Sequence, residues 1–176
     1  MSAAELFESP PQSGALVSDC GLYRYKLWRS WDESLPACAF VMLNPSTADA
    51  HQDDPTIRRC IGFAKAWGFG HLVVANLFAY RATNPKELKG VADPRGPGNN
   101  AQLFEVGRCC ARVVVAWGAG CRLPRRAPRD AIALASLRLA RTSEPIQCLG
   151  KTKTGFPRHP LYVRADTEPV PYGDAP

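Results

Sequence analysis

ACAFVMLNPSTAD, residues 37–49, holds the stretch on which the fold turns. Its first seven residues are apolar without alternation. A strand with one wet face would alternate apolar and polar side chains, so an unbroken run of this length suits a central strand covered on both faces. The run ends at Asn44-Pro45, with Ser46 and Thr47 behind it. Pro45 fixes its own φ, holds Asn44 extended and donates no hydrogen bond. A rigid amide therefore stands where the strand stops. Either the Asn-Pro pair simply forms a turn, with Ser46 or Thr47 bonding nearby backbone, or the strand stops at a binding site.

The flanking segments choose between architectures. LYRYKLWRSW (22–31) alternates, with Tyr23, Tyr25 and Leu27 on one side and Arg24, Lys26 and Trp28 on the other, as a half-solvated edge strand would. After the Asn-Pro turn, Asp53 or Asp54 can cap a helix that has Pro55 at its first position. Ile57, Cys60, Ile61, Ala64 and Trp67 then recur at helical spacing, and Gly68 or Gly70 ends it. HLVVANLF (71–78) and RVVVAWG (112–118) repeat the buried-strand pattern, and PIQCLG (145–150) forms a fourth strand. Helices over 99–111 and 128–141 separate them. Strands alternating with helices predict an α/β protein with a parallel sheet and right-handed crossovers. In such a sheet the loops leaving the four strands open at one edge, which is where open α/β sheets bind ligands.

The chain has 176 residues, enough for one core, with 45% apolar and 22% charged residues, as in soluble globular proteins. A single domain is expected over 19–172, behind a polar, flexible leader (1–18) and ahead of a short tail (173–176). The leader lacks the basic and apolar regions of a secretion signal, and there is no run of 18 apolar residues, so a cytoplasmic protein without membrane contact is expected. The seven cysteines (Cys20, Cys38, Cys60, Cys109, Cys110, Cys121 and Cys148) are odd in number and include no C-x-x-C. They read as reduced thiols rather than a metal or iron–sulfur site, and neither metal nor cofactor is expected. The net charge of +6 is uneven: residues 1–60 carry 5 basic and 8 acidic side chains, residues 61–176 carry 17 and 8. A basic half fits a phosphate-bearing partner, or a solvated surface with none.

Few residues are candidates for chemistry. Asn76 interrupts an apolar strand, and a buried amide needs its hydrogen bonds satisfied. It either bonds neighbouring backbone or meets a ligand edge that offers both donor and acceptor. His159, flanked by Arg158 and near Lys151 and Lys153, can donate to developing negative charge or bind phosphate, or is a plain loop histidine. Asp49 has no evident structural task and is a candidate base or water-positioning group. Arg58 and Arg59 read as a solvated helix face that can also touch phosphate. The sequence has no G-x-x-x-x-G-K-[ST], G-x-G-x-x-G or G-x-S-x-G, so nucleoside triphosphate hydrolysis, dinucleotide redox chemistry and the serine hydrolase elbow lose support.

MLNPSTAD, followed by DDPTIRRCIGFAKAWGFGHLVVANLFAYRATNPKEL, resembles a bacterial family known only as domain of unknown function sixteen forty-three, over about Tyr23 to Tyr172. More distantly, the chain resembles the uracil-DNA glycosylase superfamily. Those enzymes have a first strand ending in G-Q-D-P-Y or G-I-N-P-G, here MLNPS. A second strand ends in a base-reading Asn, here VVAN. A third reads L-L-W-G, here VVAWG, and an H-P motif follows the fourth, here His159-Pro160. This resemblance implies a three-layer α/β/α sandwich around a mainly parallel four-stranded sheet, with the 22–31 segment added as an antiparallel N-terminal edge strand.

On the same resemblance Asn44 positions the attacking water, Asn76 pairs with an extruded base, and His159 donates to the base oxygen. Phe78, Tyr80 and Trp117 are candidate base contacts. Pro45, Ser46, Thr47, Lys151, Lys153 and Arg158 approach the nucleic-acid backbone, and Leu161 wedges into the stack. Ser46 stands where an aromatic follows the proline in some members, and HPLY lacks the H-P-S-P continuation. The resemblance thus implies a hydrolase that cleaves an N-glycosidic bond of a modified or damaged base in DNA or a nucleotide; the sequence leaves the oligomeric state open, with a monomer expected. A non-catalytic nucleic-acid or nucleotide-binding module on the same fold, or an enzyme of another class using Asp49 with His159, are the alternatives.

Overall fold

The computed structural model describes residues 13–46, 48–121, 129–141 and 144–173. ACAFVM forms β3 (Ala37–Met42), with the next five residues after Ala37 all buried. Its side chains divide by parity, as in any strand. Cys38, Phe40 and Met42 pack with Ile57, Cys60, Phe63 and Ala64 of α1 (Pro55–Ala66). Ala39, Val41 and Leu43 pack with Leu103 and Val106 of α2 (Asn99–Cys109) and Ala133 and Leu137 of α3 (Arg129–Ala140). Helices therefore cover both faces of this strand, which explains its lack of alternation.

The remaining strands are β1 (Ser13–Val17), β2 (Arg24–Ser30), β4 (His71–Asn76), β5 (Arg112–Val115), β6 (Gln147–Cys148) and β7 (Val170–Pro171). Together with β3 they form one mixed α/β sheet in the order β1-β2-β4-β3-β5-β6-β7. The β4-β3-β5-β6 pairs are parallel, and Phe40 stands opposite both Val74 and Val114. The β1-β2, β2-β4 and β6-β7 pairs are antiparallel.

This corrects the sequence reading in three respects. The sheet has seven strands rather than four plus an edge, because short strands near both ends of the chain extend the parallel centre. Residues 13–17, assigned above to a flexible leader, form β1 and pair with β2. The 22–31 strand is consequently interior, and Arg24, placed on its solvated side, is only 3% exposed.

The chain order sets the binding edge. β3 leads through α1 to β4 on one side, whereas β5 leads through α3 to β6 on the other. Loops leaving adjacent strands in opposite directions open a crevice at their carboxyl ends. Here that crevice lies beyond Leu43 and Val115.

α1 begins where its cap and proline require. The Asp54 side chain accepts from the Ile57 N–H at 2.8 Å, and Pro55, which has no N–H to leave unpaired, takes the first turn. The helix closes at Gly68, whose φ of 79° is accessible to glycine at little steric cost.

Candidate active site

A cavity of about 400 Å³ opens at that crevice. Its floor is built from strand ends: Met42, Leu43 and Asn44 after β3, Asn76 at the end of β4, and Trp117 and Gly118 after β5. Ser46 and the start of α1, Asp54 and Thr56, form one wall, and His159 and Tyr162 form another. Arg24 and Thr83 complete its polar lining. Asn44, Asn76, Trp117 and His159, far apart in the chain, thus share one cavity.

Asn76 is the most unusual of them. It is 1% exposed, yet neither its amide nitrogen nor its amide oxygen has a hydrogen-bond partner. Buried polar groups are nearly always paired, because leaving one unpaired costs about 1–3 kcal/mol. The backbone beneath it is firmly held. The Asn99 amide donates to the carbonyl oxygens of Asn76 and Leu77, and the Arg129 guanidinium donates to Leu77 as well. Trp117, in the same floor, also has a buried indole N–H without a partner.

Asn44 is oriented from behind. Its amide nitrogen donates to the carbonyl oxygens of Pro45 at 3.0 Å and Ala82 at 2.7 Å. Both amide protons being engaged, the side-chain oxygen is the atom left to accept from a water or ligand. The backbone repeats the tie, since Ala82 N–H donates to the Pro45 carbonyl.

His159 reaches the cavity on a bracket of short turns. Lys151 and Pro157 form an antiparallel bridge, the Arg158 N–H donates to the Gly150 carbonyl, and the Gly118 N–H donates to the Pro157 carbonyl. Gly118 has a φ of 69°, which lets the β5 exit turn beneath the histidine. The His159 Nδ1 accepts from the Leu161 N–H at 3.3 Å, capping a short 3₁₀ turn over Pro160–Tyr162. The ring proton of the neutral imidazole therefore sits on Nε2. Burial pushes the His159 pKa below its ordinary value, and the negative charge of Asp54 opposes this in part. Arg59 of α1 secures the same segment by donating to the Pro160 and Val163 carbonyls, so it is a clasp rather than a solvated cation.

Arg24, Asp54 and Tyr162 were not singled out from the sequence as site residues. Arg24 is buried, and desolvation lowers its pKa to about 10 despite the opposing charge of Asp54. Its Nη1 donates to the Ala48 carbonyl, while its Nε has no partner.

Other candidates lie elsewhere. Asp49 is exposed, and its carboxylate accepts from the backbone N–H groups of His51 and Gln52, so its task is to shape the loop. These bonds lower its pKa. Phe78 packs into the core on the α2 and α3 side, and Tyr80 sits edge-on to Tyr23, so neither lines the cavity. Pro45 is buried and contributes its carbonyl. Lys151, Lys153, Arg158 and Leu161 are exposed near the His159 bracket without lining the cavity. Thr47 lies outside the described residues.

The chain belongs to the family described as "Protein of unknown function (DUF1643)". The match spans residues 24–161, from buried Arg24 to the turn after His159, and so takes in every cavity residue except Tyr162. No curated protein and no solved structure matches the chain. Among the described residues no helix is long and apolar enough to cross a membrane, and no group of three or more His, Cys, Asp and Glu side chains is placed to hold a metal ion. Cys38, Cys60, Cys110 and Cys148 are free and buried, whereas Cys20 and Cys109 are free and exposed.

Proposed function

We propose that this protein is a DNA glycosylase-like hydrolase that cleaves the N-glycosidic bond of a modified or damaged base in DNA or a nucleotide. The observation that carries this is the Asn76 amide, buried and unpartnered in the floor of a cavity shared with Asn44, Trp117 and His159. An amide donor and acceptor side by side match the edge of a nucleobase, and Trp117, in the same lining, has an unpartnered indole N–H as a further donor. The cavity volume lies within the range of small-molecule sites. Helices on both faces of the parallel strands support the three-layer arrangement that the glycosylase resemblance implies.

The chemistry assigns one task to each wall. The extruded base enters the floor against Asn76, at a flipping cost of a few kcal/mol that contacts outside the cavity must offset. The Asn44 oxygen accepts from a water and holds it facing the sugar. The His159 Nε2–H donates to the base oxygen as the C–N bond breaks and the base takes the bonding electrons. A neutral imidazole suits this role, because it donates without having to lose a full proton.

The test is base release. Oligonucleotides carrying uracil, hypoxanthine, xanthine or oxidised pyrimidines, in duplex and single strand, are incubated with the protein beside the matching nucleotides. Release of one free base, lost in Asn44→Ala and His159→Ala with binding retained, is the expected result. Binding of the same oligonucleotides with no base released by wild type would instead make the protein a binding module.

A further inference from the structure

Three carboxylates leave the β3 exit, and the structure gives them different surroundings. Asp49 is occupied by the backbone N–H groups of His51 and Gln52. Asp53 is occupied by Arg29, whose Nη2 lies 2.8 Å from it. Asp54 alone lines the cavity. One of its oxygens accepts from the Ile57 N–H, and the other accepts from none of the described residues. Its charge acts on both Arg24 and His159, which line the same cavity. A carboxylate whose only task was to cap α1 would have no need to face Asn44 and His159 across a site with an unpartnered amide in its floor.

We propose that Asp54 is the catalytic base of this site. The inference rests on the reading of the cavity as an N-glycosidic hydrolase and supplies what that reading lacks. The Asn44 amide can orient a water but cannot accept its proton. In the completed step the oxygen of the water held by Asn44 forms a bond to the anomeric carbon, and its proton passes to the free oxygen of Asp54. The carbon–nitrogen bond breaks and its electron pair leaves with the base, whose oxygen accepts from His159 Nε2–H. The released base anion then takes a proton, which returns Asp54 to its carboxylate through solvent. One water is consumed, and one sugar hydroxyl and one free base are formed.

The experiment separates the base from the cap. Asn and Ser cap helices about as well as Asp but cannot take this proton. Asp54→Asn and Asp54→Ser are compared with wild type on the oligonucleotide or nucleotide from which wild type releases base. Single-turnover release is followed together with binding by fluorescence anisotropy and with thermal melting. The expected result is a fall in release of about 100-fold or more, the usual scale of general-base loss, with binding within about threefold and a cooperative melt retained, the cap being kept and the midpoint lowered only by the charge lost opposite buried Arg24. Asp54→Gly, which leaves room at the carboxylate position, should regain release on addition of formate. Release within about threefold of wild type in both Asp54→Asn and Asp54→Ser overturns this inference and leaves the glycosylase reading standing. Wild-type protein that releases no base from any substrate overturns both.

Discussion

The buried amide of Asn99 donates to the main-chain carbonyls of Asn76 at 2.9 Å and Leu77 at 3.0 Å. It fixes the strand end without using the Asn76 side chain, which stays available to the cavity. Asn99→Ala takes this donor from the buried Asn76 carbonyl, whereas the Leu77 carbonyl keeps the Arg129 guanidinium. The expected cost is about 1–3 kcal/mol, the usual penalty for one unpaired buried group. Urea unfolding checks this, and a loss under about 1 kcal/mol would mean that other groups take over.

Asn76 should behave in the opposite way. Its amide is desolvated and has no partner, so Asn76→Leu removes a polar burial cost at similar volume. We expect stability unchanged or raised by about 1 kcal/mol, together with a loss of about 1–3 kcal/mol in ligand binding if the amide reads a base edge. Paired denaturation and binding measurements on one variant suffice. A protein clearly destabilised by Asn76→Leu would show that the amide serves the fold.

His159 gives a pH prediction with a definite sign. Its pKa is lowered in the folded protein, chiefly by burial. In the unfolded chain an imidazole titrates near ~6.5. As pH falls through that value the unfolded state binds the proton first, so stability drops until the folded pKa is reached and is fully present above ~6.5. His159→Gln should flatten this part of the stability profile, below about pH 6.5. Because Asp54 raises the His159 pKa, Asp54→Asn should move the imidazole titration further down, as read by proton NMR. An upward shift would contradict the placement of Asp54 beside it.

The parallel centre of the sheet was legible because its strands are covered on both faces and therefore lack alternation. The outer strands were not. SGALV follows a Pro-rich stretch, and β7 is two residues of a Pro-rich tail, so neither shows a period. Asn44 and Asn76 stood out because each interrupts or ends an apolar run in a way that packing alone does not demand, whereas His159 stood out by its basic surroundings and Trp117 only through the glycosylase resemblance. Asp54 and Arg24 did not. A carboxylate before Pro55 is already explained as a helix cap, and an arginine in an alternating strand is already explained as solvated. Arg24 is buried against the Ala48 carbonyl in the cavity that Asp54 also lines, and that is a relation between distant segments. Phe78 and Tyr80 failed to reach the cavity because the chain past Asn76 continues alongside the β3 exit. The Leu77 and Phe78 N–H groups donate to the Met42 and Leu43 carbonyls there, and the two rings pack elsewhere.

The exposed cations around the His159 bracket make a final prediction, which separates polymer from monomer substrates. Lys151 stands with its ammonium 5.5 Å over the Tyr172 ring, and Lys153 and Arg158 are exposed beside it. None lines the cavity, so a ligand confined to the cavity leaves them untouched. A DNA strand entering past Tyr162 and Leu161 would instead meet them with its phosphates and release condensed counterions. The slope of log affinity against log salt should then fall by about 1 for each cation removed. Lys151→Ala combined with Lys153→Ala should flatten the slope by about 2 while single-turnover release from saturated protein stays the same. A slope unchanged by the double substitution would direct the strand along another path. A wild-type slope near zero would make the substrate a free nucleotide.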